Sequence, residues 1–158
     1  MPDLLSHLII GLILGEIFNI RKKSLVVLGA IAPDILSKIP LLYFYIGIPP
    51  PISFTPFHTP FMWLLLSILI APLFKHDKLK TIIFINMGTM SHFLSDLTMK
   101  HFTVVGTRLF YPITNANYTF NLIWPEQSFY ILIGSLLVYL FIRIIKKNIS
   151  IPSKLRFW

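Results

Sequence analysis

The stretch TIIFINMGTMSHFLSDL, residues 81–97, decides the fold of this chain. It is an apolar run of the length that a helix needs to cross a bilayer, about 17–25 residues. His92 and Asp96 interrupt the run four residues apart, so both lie on one helical face, which Gly88 and Thr89 extend. An ionisable group that faces lipid is costly. We therefore predict a membrane-spanning helix whose polar face points into a helical bundle.

Four further apolar runs of similar length complete the predicted fold. The chain has 158 residues, of which 55% are hydrophobic and 13% charged, and its mean hydropathy is +0.75. This is more apolar surface than a soluble domain of that size normally buries. We predict an all-α integral membrane bundle of about five transmembrane helices, forming a single membrane domain over residues 1–158. Its spans lie near residues 4–20, 24–48, 58–74, 81–97 and 128–145. We expect the second helix to be broken at Pro33 and Pro40, because proline removes a backbone donor.

The basic residues predict how the chain is oriented in the membrane. Most of the 14 Lys and Arg residues lie in three clusters, within residues 21–23, 75–80 and 143–156. Five spans would place all three clusters on one side, and the positive-inside rule makes that side cytoplasmic. We therefore expect a multi-pass cell-membrane protein with its N-terminus and residues 99–127 outside and its C-terminus in the cytoplasm. Because the basic residues lie in short clusters between apolar runs, as topology signals do, we expect no nucleic-acid partner. The sequence does not indicate the oligomeric state.

Five ionisable side chains within the predicted spans fall at similar depths. The height of each one above the nearest basic cluster follows from a helical rise of about 1.5 Å per residue. They lie roughly 17–26 Å above the inner boundary, and they are His7, Asp34, His58, His92 and Asp96. Since they come from four helices, a bundle can bring them together in the outer half of the bilayer. Glu16 lies near the inner end, about 180° of helix rotation from His7, and we exclude it.

These five residues have the chemistry of a metal site. The chain has no cysteine, so a metal would be held by imidazole and carboxylate groups. A metal-bound water can attack an ester, while a spare carboxylate removes or returns the proton. We predict Asp34 and Asp96 as the catalytic residues, and the sequence does not say which is the ligand and which is the base. The expected cofactor is one divalent metal, zinc, with manganese as the alternative.

Three residues beyond the fourth span are candidates for substrate binding. Lys100, His101 and Arg108 follow that span on the predicted outer side. A cation there can pair with an anionic substrate group, although a solvated loop residue is the simpler interpretation. The depth of the site favours an amphiphilic substrate. We therefore expect a membrane-embedded hydrolase that contacts membrane lipid and acts on an ester or phosphoester, of a small molecule or of a lipid.

Other interpretations of the same residues stay open. A His and an Asp four residues apart are more often a hydrogen-bonded core pair than a metal site, and Asp34 after Pro33 also suits a helix cap. The main alternative is a non-enzymatic multi-pass membrane protein whose His and Asp cluster is a structural or partner-binding polar network. A proton or ion relay would spread its groups across the membrane, whereas these cluster in one half.

Several short motifs resemble one known family. They are SHL at residues 6–8, LGAIAPD at 28–34, FHT at 57–59, SHFLSD at 91–96 and LFYP at 109–112. In this order they are similar to the membrane-bound metal-dependent hydrolases of the YdjM type, whose bacterial members are described as LexA-binding inner-membrane proteins. The resemblance implies hydrolase activity and the same five metal positions. Leu36 and Ser37 stand where the family often has a second Asp and a His, and Ser53 or a neighbour replaces an upstream His, which favours one metal over two.

Overall fold

The fold is a bundle of helices joined by turns and one long loop. A computed structural model describes residues 3–49, 55–100 and 107–148. Within these ranges the structure has five α-helices and no strand, which confirms the predicted all-α fold. The helices are α1 (Leu4–Ile17), α2 (Lys23–Ile46), α3 (Pro60–Ile70), α4 (Lys78–Thr98) and α5 (Ser128–Asn148). Short 3₁₀ turns occupy Thr55–His58, Ala71–Leu73 and Pro125–Gln127.

Two helical segments among the described residues are long and apolar enough to cross a membrane, Lys23–Ile46 and Pro125–Asn148. The predicted spans 4–20 and 58–74 correspond to shorter apolar helices, Leu4–Ile17 and Pro60–Leu73. The first is shorter because Asn19 takes a positive φ of 52°, which turns the chain away from the helix. The count of five spans therefore stays a prediction.

The interior of the bundle holds polar side chains as well as apolar ones, and many large apolar side chains lie on its surface. Ser6, Thr89 and Thr81 are each at most 1% exposed. Large apolar side chains face outward, among them Phe44 at 81% and Phe129 at 61%, and α5 buries none of its residues. In lipid, polar groups must find partners inside the protein, while apolar side chains can face the acyl chains. This distribution suits a protein whose solvent is lipid.

The expected break in the second helix is wrong, because α2 runs through both prolines without interruption. Pro33 has no N–H to donate to the carbonyl of Gly29, four residues earlier. The hydroxyl of Thr89, on α4, lies 3.3 Å from that carbonyl oxygen and 3.0 Å from the carbonyl oxygen of Ile85 in its own helix, so its one hydrogen is shared between the two. A neighbouring helix therefore offers the freed carbonyl a shared donor, as is typical of prolines within membrane helices.

Helices α2 and α4 cross at two glycines, and this contact positions the site. A Cβ atom added at Gly29 would lie 1.9 Å from the carbonyl oxygen of Ile85, and one added at Gly88 would lie 1.9 Å from that of Val26. Both positions therefore need glycine, because the two backbones touch there. Asp34 lies five residues beyond one glycine and His92 four beyond the other, so the crossing brings these two side chains close together.

The loop after α4 is tied to the end of that helix. The N–H of Phe120 donates to the carbonyl of Leu97 at 2.6 Å, and the N–H of Leu122 donates to that of Thr98 at 2.9 Å. The last carbonyls of a helix have no partner within the helix. The returning loop supplies these partners and holds the end of α4 next to the site.

Candidate metal centre

Four chain segments bring all five predicted ligands together. His7 comes from α1, Asp34 from α2, His58 from the 3₁₀ turn before α3, and His92 and Asp96 from α4. One ligand atom from each of Asp34, His58, His92 and Asp96 lies within 4.8 Å of all the others, a grouping that could hold a metal ion. His7 adjoins the group, because its ring centroid lies 4.1 Å from that of His92.

Asp96 lies at the centre of the three imidazoles. Its Oδ2 is 2.9 Å from Nε2 of His58 and 3.5 Å from Nε2 of His92, and its Oδ1 is 3.3 Å from Nε2 of His7. The carboxylate is 1% exposed, as is His7, and His92 is fully buried. A buried carboxylate is costly unless cations or hydrogen-bond donors surround it. Asp96 is therefore the residue on which the cluster depends most.

Several buried lone-pair atoms of the cluster have no hydrogen-bond partner among the described residues. They include Oδ1 of Asp34 and Nε2 of His92, whereas Nε2 of His7 and Oδ1 of Asp96 face each other at 3.3 Å. Leaving such atoms unpaired costs about 1–3 kcal/mol each, and proteins rarely do so without a reason. A cation among them would satisfy nitrogen and oxygen lone pairs at once, so the donor set fits a divalent metal.

His92 is held so that its Nε2 faces the cluster. Its Nδ1 lies 2.8 Å from the carbonyl oxygen of Ala30, which can only accept, so Nδ1 carries the hydrogen. In a neutral ring the lone pair then belongs to Nε2. Metal-binding histidines commonly make this second contact, which fixes their tautomer and orientation. A carbonyl oxygen has two lone pairs, so that of Ala30 can accept from His92 as well as within its own helix.

His58 is positioned by a turn with its own set of contacts. The hydroxyl of Thr59 donates to the carbonyl of Pro56 at 2.7 Å, and its oxygen accepts from the N–H of Met62 at 3.4 Å, capping α3. The indole of Trp63 donates to the carbonyl of Phe57 at 2.6 Å. These contacts fix the backbone on both sides of His58, so its ring is held against Asp96.

One protein family is similar to this chain over nearly its whole length. The chain matches the YdjM inner membrane protein family over residues 1–153. The chain belongs to that family. No curated protein and no solved structure matches it. Membership of the YdjM family supports membrane association, as do the two candidate spans.

Lys38 is a residue of this YdjM-family site that the sequence interpretation missed. Its Nζ lies 3.2 Å from Oδ2 of Asp34, one helical turn away, and its side chain is 48% exposed. The other carboxylate oxygen of Asp34 stays unpaired in the cluster. The spacing of four residues on α2 was a signal that could have indicated this pair. The half-exposed side chain of Lys38 therefore reaches from the surface of α2 to the buried carboxylate of Asp34.

The other charged residues considered from the sequence are Glu16, Lys100, His101 and Arg108. Glu16 is 4% exposed and pairs with Lys23, Lys146 and Arg143 at the opposite end of α1, in agreement with its exclusion. Lys100 lies over the ring of Trp124, with Nζ 4.2 Å from its centroid. The Nε atom of Arg108 is buried and has no partner among the described residues. His101 lies outside the described residues. A substrate role for the last three stays a prediction.

Proposed function

We propose that this YdjM-family chain is a membrane-embedded hydrolase that uses one divalent metal to cleave an ester or phosphoester. The observation that supports this most is the convergence of ligand atoms from Asp34, His58, His92 and Asp96 within 4.8 Å of one another, among which Oδ1 of Asp34 and Nε2 of His92 are buried and have no hydrogen-bond partner among the described residues. A purely structural network would be expected to pair these atoms with one another or with the backbone.

The proposal includes five crossings of the membrane. Residues 21–23 and 75–80 and the end of α5 then lie in the cytoplasm, and the N-terminus and the loop after α4 lie outside. The short helices α1 and α3 would be extended by their neighbouring turns or by local thinning of the bilayer. With this orientation the His and Asp cluster lies in the outer half of the membrane.

The donor set favours zinc, with manganese as the alternative. Imidazole nitrogen suits zinc, carboxylate oxygen suits both metals, and the chain offers no thiolate. A bound divalent cation would lower the pKa of a water molecule and polarise the oxygen of an ester or phosphoester. His58, His92 and one carboxylate would hold the metal, with His7 at the edge of the site.

The chain's own groups would then position the substrate and move the proton. One of Asp34 and Asp96 would act as the base that takes a proton from water and returns it to the leaving oxygen. Asp96 touches three imidazoles, which suits a ligand, whereas Oδ2 of Asp34 pairs with the ammonium of Lys38, which suits a base. The half-exposed Lys38 ammonium can attract an anionic group of the substrate to this carboxylate.

The substrate class follows from where the site lies. A cluster buried among apolar helices is reached most easily by an amphiphilic molecule from the surrounding lipid. We propose a lipid ester or phosphoester, or a small molecule of similar chemistry. Lys100, His101 and Arg108 would contact its anionic part, because they follow α4 directly beyond Asp96.

Turnover by an Asp96→Asn variant tests the proposal. The purified protein in detergent or nanodiscs is assayed with chromogenic esterase and phosphodiesterase substrates and with labelled phospholipids. The amide keeps the size of Asp96 and removes its charge, so we expect loss of metal and of activity. Asp34→Asn should keep the metal and lower the rate by about 10²–10⁴-fold, as expected for a base. Asp77→Asn, at the cap of α4, is the matched control and should retain activity.

The hydrogen bond between His58 and Asp96 at 2.9 Å also supports the alternative of a structural or partner-binding polar network. In that case Asp96→Asn would lower stability without any metal to lose. If both Asp variants and His92→Ala leave metal content and turnover unchanged, the hydrolase proposal is wrong and the network is the better description.

A further inference from the structure

A cavity lined by basic residues lies at the opposite end of the bundle from the His and Asp cluster. It has a volume of about 830 Å³ and opens between the end of α1 and the end of α5. Ligand sites in proteins commonly measure about 300–1,000 Å³. The cavity shares no residue with the candidate metal centre, so an inference drawn from it does not depend on the proposed hydrolase.

The charged residues of this basic cavity are strongly unbalanced. One carboxylate lines it, that of Glu16. Five cations line it as well, and they are Arg21, Lys23, Arg143, Lys146 and Lys147. Glu16 already binds three of the cations: Lys23, Arg143 at 3.2 Å and Lys146 at 3.8 Å. Lys146 also donates to the carbonyl of Glu16 and to Asn19. One carboxylate cannot neutralise five cations, so the cavity is suited to an anion.

Glu16 therefore organises the cavity rather than neutralising it. Its side chain is 4% exposed and pairs with Lys23 at the start of α2 and with Arg143 near the end of α5. Arg21 and Lys147 line the same cavity, and both are exposed. An incoming anion would meet a preformed ring of positive charge, which lowers the cost of ordering flexible side chains.

The cavity also has an apolar wall, which distinguishes a lipid from a soluble anion. Leu140 and Ile144 line it from α5 and are 47% and 60% exposed. α5 belongs to one of the two segments long enough to cross a membrane, and its basic residues lie in its last two turns. Those turns would lie at the level of the lipid headgroups, with the exposed apolar face of α5 beside the acyl chains.

We propose that this basic cavity binds the phosphate headgroup of an anionic phospholipid, whose acyl chains lie along the exposed face of α5. Basic pockets between membrane helices on the cytoplasmic side suit such headgroups. The bound lipid would fill the space between α1 and α5 and hold α5, which buries none of its own residues, against the bundle.

Lipid titration followed by native mass spectrometry tests this proposal on the full chain. The wild-type protein is titrated with phosphatidylglycerol, with phosphatidylcholine of the same acyl chains, and with soluble glycerol 3-phosphate. We expect tight binding of phosphatidylglycerol and much weaker binding of the other two. The double variant Arg21→Gln, Lys147→Gln removes two exposed cations and leaves the three that pair with Glu16 in place, so it should fold normally. It should bind phosphatidylglycerol about thirtyfold more weakly, at about fivefold per cation.

Lys75→Gln is the matched control, because it removes an exposed cation that lines a neighbouring cavity and not this one. It should bind phosphatidylglycerol like the wild type. An equal loss per cation in this control, about fivefold, would mean general attraction to a positive surface and would overturn the site. Equal binding of the two phospholipids would overturn it as well. If glycerol 3-phosphate displaces the lipid at similar concentrations, the ligand of the cavity is a soluble phosphate and the lipid proposal is wrong.

Discussion

The crossing of α2 and α4 makes the strongest stability prediction, because Gly88→Ala should separate the two halves of the candidate metal centre. The new Cβ would lie 1.9 Å from the carbonyl oxygen of Val26. An ordinary carbon–oxygen contact needs about 3.3 Å, so the helices must part by roughly 1.4 Å. Metal–ligand distances tolerate only about 0.2 Å. Asp34 on α2 and His92 on α4 could then no longer reach one ion.

We expect Gly88→Ala to lose most of its bound metal and to lower the free energy of unfolding by about 1–3 kcal/mol, the usual cost of overpacking. Metal content and thermal unfolding of the purified variant measure the two effects. The matched control is Gly134→Ala on α5, where an added Cβ meets nothing within 4 Å. It should keep both properties, because alanine is a good helix former. Wild-type metal content in Gly88→Ala would refute the role of the crossing.

Three other predictions concern α2, topology and pH. Thr89→Val should cost about 0.5–1.5 kcal/mol in unfolding, because the hydroxyl is shared between the carbonyls of Gly29 and Ile85. The cost should be smaller in a Pro33→Ala background, where the new backbone N–H at position 33 can bond the carbonyl of Gly29, and equal costs in a double-mutant cycle would contradict this. A cysteine placed at Asn117 in this cysteine-free chain should be labelled from outside the cell only, and cytoplasmic labelling alone would invert the topology. Metal affinity should fall as the medium becomes acidic, since protons compete for the imidazole lone pairs, and a pH-independent affinity would exclude histidine ligands.

The composition of the site could be predicted from the sequence because helical rise is regular. Counting about 1.5 Å per residue from the basic clusters predicted similar depths for five residues, which are His7, Asp34, His58, His92 and Asp96. The structure brings these five residues together. Position along a helix sets the level of a residue in the bundle, so apolar runs and charge clusters were sufficient to predict which residues meet, while their depth in the membrane stays a prediction.

The contacts between helices could not be predicted in the same way. Which side of a helix faces which neighbour depends on tertiary packing, so the sequence did not reveal that Ala30 holds His92 or that Glu16 pairs with Arg143. The break expected at Pro33 was wrong for the same reason. Thr89, whose hydroxyl lies within hydrogen-bond distance of the freed carbonyl, comes from a helix more than fifty residues away in the chain.

Metal analysis of the purified protein tests the central claim most directly. The wild type, a His92→Ala, Asp96→Ala double variant and the Gly134→Ala control are purified in detergent without chelator and measured by inductively coupled plasma mass spectrometry. We predict about one zinc or manganese per chain in the wild type and control, and a nearly complete loss in the double variant, because Asp96 touches three imidazoles. A folded wild type that takes up no divalent metal, or a double variant that retains it in full, would contradict the metal centre.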